Sequence, residues 1–139
     1  MIVKCTANSG ADLPVSQLSP SSGFTERTDF PLSLGRTYHV FALTLFLGGT
    51  WYFVLDDDNL DWPVWAPAEL FEIVDGSLPV GWRVGEVRGD RGLYPVISFE
   101  EWADDPGFYE RLVDGEPRTV EIFKRRRAEI EGRDSPGSR

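Results

Sequence analysis

The sequence predicts a small α+β domain in which five or six short strands are followed by two or three C-terminal helices. Three observations carry this prediction. Residues 36–55 contain two β-rich runs that flank Gly48 and Gly49, which is typical of a tight hairpin. Further short β-rich runs follow at residues 69–74, 80–88 and 93–97. Helix-start signals begin only at Ser98.

The hairpin is apolar on both faces. If Gly48 and Gly49 form its loop, Leu45 lies opposite Tyr52 on one face and Phe46 lies opposite Trp51 on the other. A hairpin with one face in water alternates apolar and polar residues, and this one does not. We therefore expect cover on both faces, from the helices after Ser98 and from apolar side chains scattered between residues 13 and 34.

The remaining elements follow in order. Residues 2–6 predict a short strand, and residues 7–35, rich in Ser, Pro, Gly and Asp, predict a long loop that either wraps over the hairpin or is partly mobile. Residues 56–67 predict a second loop, because Asp and Asn favour turns and two prolines interrupt the run.

Three helices are predicted after the strands. Ser98 and Glu101 fit a capping box, and Asp105 before Pro106 fits the start of a second helix. The third helix is expected over residues 117–131. A polar tail, 132–139, is expected to be disordered. Residues 1–131 are thus predicted to form a single domain.

Charge and composition argue against nucleic acid and membrane partners. The formal net charge is −9, and residues 1–113 carry 7 basic and 17 acidic residues. This balance disfavours nucleic acid binding and favours a basic protein partner, although acidity also serves solubility. No run reaches the length of a membrane span, so no membrane partner is expected. Cys5 is the only cysteine, and no signal peptide is apparent at residues 1–10, so we expect a cytoplasmic location.

The acidic loop, residues 56–61, is the most interface-like stretch. Its aspartates, together with two following tryptophans, form the predicted partner-binding site: Asp56, Asp57, Asp58, Asp61, Trp62 and Trp65. Aromatic side chains beside charges often anchor interfaces. We expect at least one tryptophan to fold back onto the hairpin instead. The other interpretation of the loop is a solvated hairpin exit.

No metal, cofactor or catalytic residue is predicted. The spacing of Asp57, Asn59 and Asp61 imitates a calcium-binding EF-hand loop, but Trp62 replaces the required glycine and Ala68 replaces the required glutamate. We therefore expect a non-catalytic protein-binding module, as a monomer or homodimer. The alternatives are a small enzyme or ligand-binding barrel with a pocket near His39, the only histidine, and a structural subunit of a larger assembly.

Several segments together resemble a group of small bacterial proteins, some of which are similar to immunity proteins that neutralise toxins in interbacterial competition. These segments, between residues 36 and 127, are Tyr38-x-Val40-Phe41, the acidic loop, PAELFEIVD at 67–75, Trp82, FYERL at 108–112 and Phe123-Lys124. The resemblance implies a strongly curved antiparallel sheet or SH3-like partial barrel with C-terminal helices. It also implies a toxin as the partner, and it carries over no catalytic residue.

Overall fold

The computed structural model describes residues 1–18, 22–89 and 92–134, in which eight strands and three α-helices are present. The strands are β1 (Ile2–Cys5), β2 (Thr37–His39), β3 (Ala42–Phe46), β4 (Gly49–Val54), β5 (Val64–Pro67), β6 (Phe71–Asp75), β7 (Arg83–Gly89) and β8 (Gly92–Ser98). The helices are α1 (Glu100–Ala103), α2 (Phe108–Val113) and α3 (Pro117–Asp134). The predicted turn at 89–92 lies partly outside the described residues.

The strands form two antiparallel sheets, which confirms the α+β class. One sheet has the order β2-β1-β6 and the other the order β5-β4-β3-β8-β7, so both remain open. The eight strands exceed the five or six predicted, because β2 and β5 were not separated from their surroundings. The two prolines near β5 indicated a loop, but Pro67 lies on an edge strand, where a missing N–H is tolerated.

The hairpin is confirmed, but its predicted register is wrong by two residues. Leu45 pairs with Thr50 rather than Tyr52, because the turn is formed by Leu47 and Gly48 rather than by the two glycines. Both turn residues have positive φ, 50° and 72°, as a primed two-residue turn requires. The two-residue shift leaves each side chain on its predicted face.

Both faces of the hairpin are covered, as predicted. On one face Tyr52 and Val54 pack with Val3 of the three-stranded sheet and with Val40, which directly follows β2. On the other face the neighbouring Phe53 packs against the C-terminal helices. The side-chain alternation of β4 therefore places the five-stranded sheet between a second sheet and a helical layer.

The described parts of the long loop, residues 7–18 and 22–35, wrap over the hairpin rather than leaving it exposed. It contains two short 3₁₀ helices (Gly10–Asp12 and Val15–Gln17), and a third (Ala68–Leu70) precedes β6. Leu13 and Leu32 are buried in the core between the sheets. Phe24 stacks on Trp51 of β4, with ring centroids 5.7 Å apart.

The helix ends differ from the predictions. Ser98 does not form the capping box, because its hydroxyl donates a 2.6 Å hydrogen bond to the carbonyl oxygen of Phe41. Asp105 caps the turn before α2 by accepting from the N–H of Gly107, and the helix itself begins at Phe108. The third helix continues to Asp134, so 132–134 do not belong to a tail, and 135–139 lie outside the described residues.

Candidate functional site

The acidic loop leaves the hairpin at the end of β4 and leads to β5, the edge strand of the larger sheet. Its aspartates occupy different environments: Asp56 is buried, Asp57 is half-buried, and Asp58 and Asp61 are exposed. The six residues predicted as the partner-binding site therefore divide into residues that hold the loop and residues that it presents to solvent.

Asp56 holds the loop from inside. It is only 5% exposed, and its Oδ1 accepts hydrogen bonds from the backbone N–H groups of Asp58 and Asn59, at 3.0 and 2.7 Å. The side-chain amide of Asn59 donates to the same oxygen at 3.3 Å. An Asp side chain that accepts from the N–H two residues later forms an Asx-turn, which fixes the backbone locally.

Asp57 ties the loop to the segment before the hairpin. Its carboxylate accepts hydrogen bonds from Ser33 Oγ (2.6 Å), Arg36 Nη1 (2.7 Å) and Tyr38 Oη (2.8 Å), and its backbone N–H donates to the carbonyl of Pro31. Burial alone disfavours the charged form, but these hydrogen bonds and the charge of Arg36 outweigh it. The pKa of Asp57 is therefore held below its ordinary value.

The presented part of the loop is Asp58, Leu60 and Asp61, which we call the loop tip. Leu60 is 61% exposed between the two exposed carboxylates. From the other side, Arg127 of α3 donates a 3.1 Å hydrogen bond to the carbonyl of Leu60. The loop is thus fixed at Asp56, at Asp57 and at Leu60, while its apolar and acidic side chains face solvent.

The two tryptophans point to different neighbours. Trp65 packs back onto the hairpin, with its ring centroid 5.2 Å from that of Trp51 and 6.0 Å from that of Phe53. This confirms the prediction that one tryptophan folds back. Trp62 is half-buried and lines a groove beside the helical layer, together with Asp61 and Lys124.

A separate cavity of about 340 Å³ opens where Asp56 and Trp65 lie, and it shares no lining residue with the groove at Trp62. Its wall includes four aromatic and two acidic residues, which together define the aromatic–carboxylate pocket: Phe24, Phe30, Trp65, Tyr109, Asp29 and Asp56. They come from the long loop, the β4–β5 connection with β5, and α2. Phe24 and Phe30 meet edge to face, with centroids 4.8 Å apart.

Tyr109 is fixed in this wall by its hydroxyl. The hydroxyl donates a 2.8 Å hydrogen bond to the carbonyl of Pro63, and the ring stacks on Trp102 at 5.6 Å. Burial, followed by the negative charge of Asp56, raises the pKa of Tyr109 to about 12. The hydrogen bond to Pro63 and the stacking on Trp102 hold the Tyr109 ring in the wall of the pocket.

Sequence reasoning did not assign Phe24, Phe30, Asp29 or Tyr109 to a site. The two phenylalanines are among the apolar side chains between residues 13 and 34 that were expected to cover the hairpin, and Tyr109 was considered only within FYERL at 108–112. An aromatic residue within a Ser/Pro-rich loop is the signal that could have found them, because such a side chain needs a surface to pack on. Their meeting with Asp56 depends on the tertiary fold.

The other candidate residues lie elsewhere. His39 is half-buried at the end of β2, opposite Ile2, and is not among the residues lining the aromatic–carboxylate pocket. Cys5 is buried, and this burial raises the pKa of its thiol. Within residues 1–18, 22–89 and 92–134, no group of three or more His, Cys, Asp or Glu side chains is arranged to hold a metal ion. In the same part of the chain, no helix has the length and apolar character needed to cross a bilayer.

Comparisons with protein-family models, with curated protein sequences and with solved structures find no match to this chain.

Proposed function

We propose that this protein is a non-catalytic binding module that engages a basic protein partner through its acidic loop, as a monomer or homodimer. The loop tip and the neighbouring Trp62 form the centre of the proposed contact surface, whereas Trp65 packs back onto the hairpin. Asp56 and Asp57, which the sequence placed in the same site, support the surface by holding the loop.

The rigid presentation of the loop tip is the observation that carries the proposal. Leu60 stays 61% exposed although the loop around it is anchored from three directions. A surface that is already ordered loses less conformational entropy when a partner binds. An apolar side chain held in solvent between two carboxylates therefore supports a role in recognition.

The charge distribution supports a basic partner. Residues 1–113 carry ten more acidic than basic residues, which attracts a positively charged protein and speeds their encounter. The nearby Arg127 does not cancel the loop's charge, because its Nε is already paired with Glu131 at 3.1 Å. The resemblance to immunity proteins points to a toxin as the basic partner.

A charge-reversal experiment tests the proposal. The Asp58→Lys/Asp61→Lys variant changes the loop tip without touching the hydrogen bonds of Asp56 and Asp57. Tagged wild type and variant are used to capture partners from a lysate of the cell of origin, with quantification by mass spectrometry. We expect a basic protein to be captured by the wild type, in a salt-sensitive manner, and lost from the variant.

The matched control is Glu72→Lys/Glu86→Lys, which makes the same charge change on β6 and β7. Both glutamates are exposed and form only surface ion pairs, with Lys4 and Arg88, so the fold should tolerate their replacement. Circular dichroism and denaturant unfolding verify that both variants are folded. Equal capture by the loop variant and the control variant would contradict the proposal.

A further inference from the structure

The charged side chains that line the aromatic–carboxylate pocket are all negative. Two carboxylates line it, Asp56 and Asp29, and among the described lining residues there is no lysine, arginine or histidine. Asp56 is 95% buried, yet no described cation forms an ion pair with it. Hydrogen bonds to its Oδ1 stabilise the carboxylate of Asp56, and because no described cation lines the pocket, its negative potential favours a positive ligand.

The hydrogen bonding of Asp56 leaves room for such a ligand. The hydrogen bonds that described residues donate to Asp56 all end on Oδ1. The second carboxylate oxygen therefore keeps its capacity to accept a hydrogen bond or to pair with a cation. This capacity is independent of the acidity of the loop tip, because it belongs to a buried group in the wall of a cavity.

The aromatic rings supply the second half of the recognition. Phe24, Phe30, Trp65 and Tyr109 surround a space of about 340 Å³, and ring faces attract cations through their quadrupoles. The rings also accept an apolar stem, which a metal ion or a strongly hydrated inorganic cation does not have. Aromatic walls combined with a carboxylate match an alkylammonium group on an aliphatic chain.

We infer that the aromatic–carboxylate pocket binds an alkylammonium group, with Asp56 as its counter-ion and the aromatic rings around its stem. The inference deepens the proposed function and rests on it for the source of the cation, a lysine side chain of the basic partner. A free small amine has the same chemistry, and the experiment below separates the two sources.

The direct test compares cations with neutral molecules of the same shape. Choline is titrated against its uncharged analogue 3,3-dimethylbutan-1-ol, and the peptide acetyl-Gly-Lys-Gly-amide against the same peptide with norleucine. Binding is followed by the Trp65 indole and the Asp56 amide signals in ¹H–¹⁵N spectra. We expect saturable shifts with each cation, and about tenfold weaker binding of each neutral analogue.

Asp56→Asn is the decisive variant. Asparagine keeps an oxygen that accepts from the N–H groups of Asp58 and Asn59, but it removes the charge, so cation binding should fall about tenfold while the neutral analogue binds unchanged. Phe24→Leu provides a second variant that leaves the loop hydrogen bonds intact and should weaken cation binding selectively. Glu72→Gln, an exposed acid-to-amide change on β6 outside the pocket lining, should leave both titrations unchanged.

The outcomes distinguish this inference from the proposed function. Equal binding of cation and neutral analogue, no binding of either cation, or cation binding that survives Asp56→Asn would overturn the pocket assignment, even if the loop-tip variant loses its partner. Choline binding that depends on Asp56, without binding of the lysine peptide, would support the pocket with a free amine as its ligand. If the loop-tip variant captures the partner as well as the wild type does, but the pocket titrations give the expected results, the proposed function is overturned and the pocket assignment stands.

Discussion

The side-chain amide of Gln17 occupies the space that a Cβ atom at Gly49 would need, with Nε2 2.5 Å from that position. Gln17 lies in the long loop, at the end of the 3₁₀ helix Val15–Gln17, and is 1% exposed. Gly49 is thus required for a close approach between two segments, and not for the turn. The turn itself is formed by Leu47 and Gly48.

Gly49→Ala should destabilise the protein by about 1 kcal/mol, because the added methyl group must displace the end of a buried side chain. In a Gln17→Ala background the same change should cost less, since the obstructing amide is gone. Denaturant unfolding of the wild type, the two single variants and the double variant measures this coupling. Strictly additive effects would show that the two residues do not compete for space.

Gly85→Ala should be far more damaging, with a loss of about 3 kcal/mol or more in unfolding free energy. A Cβ at this position would lie 1.7 Å from the carbonyl oxygen of Ala103, and this backbone atom cannot move without shifting α1. Gly89→Ala, on the same strand, is the control, because its nearest neighbour is a Tyr94 ring carbon at 3.9 Å. Similar stabilities for the two variants would refute the close packing of α1 on β7.

Changes at the two turn residues should have opposite signs. Leu47→Asn should stabilise the hairpin by about 0.5–1 kcal/mol, because asparagine adopts positive φ more readily than leucine does. Gly48→Ala should destabilise it by about 1 kcal/mol, since a Cβ is unfavourable at φ 72°. Thermal and denaturant unfolding of both variants provide the measurement. A loss of stability in both would speak against the primed turn.

Asp57 should make stability depend on acid pH. Its folded-state pKa lies below the ordinary value, so its contribution is complete above the unfolded-state pKa and is lost as pH falls through the folded-state pKa. At neutral pH, Asp57→Asn should cost about 1–2 kcal/mol. The difference from the wild type should shrink as pH falls below about 4.

Unfolding free energies measured from pH 7 down to pH 2.5 test this dependence. Asp58→Asn is the matched control, because the neighbouring carboxylate is exposed, and it should change stability by less than about 0.5 kcal/mol at neutral pH. If the difference in unfolding free energy between the wild type and Asp57→Asn stays constant across this range, ionisation of the Asp57 carboxylate is not the source of the stability difference.

The local features of the fold could be predicted from the sequence. A pair of glycines between β-rich runs indicates a hairpin wherever it occurs, and two apolar faces require two covering layers. The exact register could not be predicted, because Leu47-Gly48 and Gly48-Gly49 are both candidates for a two-residue turn, and Gly49 meets Gln17 only in the folded chain. Likewise, Ser98 carries the local pattern of a helix cap, but the carbonyl of Phe41 on a neighbouring strand accepts its hydrogen bond.

For the candidate site too, the local pattern could be predicted from the sequence, but the tertiary contacts could not. The composition of the acidic loop identified it, yet the sequence did not distinguish the buried Asp56 from the exposed Asp58. The partners of Asp57, namely Ser33, Arg36 and Tyr38, precede it by about twenty residues and approach it only through tertiary structure. The residues of the aromatic–carboxylate pocket come from three separate segments of the chain, so no local sequence pattern predicts it.

The position of β1 in the middle of the smaller sheet determines the order in which the fold can be assembled. During synthesis β1 precedes both of its neighbours, and its pairing with β6 joins Cys5 to Phe71. Pairings of such long range form slowly, because the intervening chain must be closed into a loop first. Until β6 has been made, β1 exposes an unpaired edge. A folding chaperone or a rapid collapse onto the β3–β4 hairpin would protect the nascent chain during that interval.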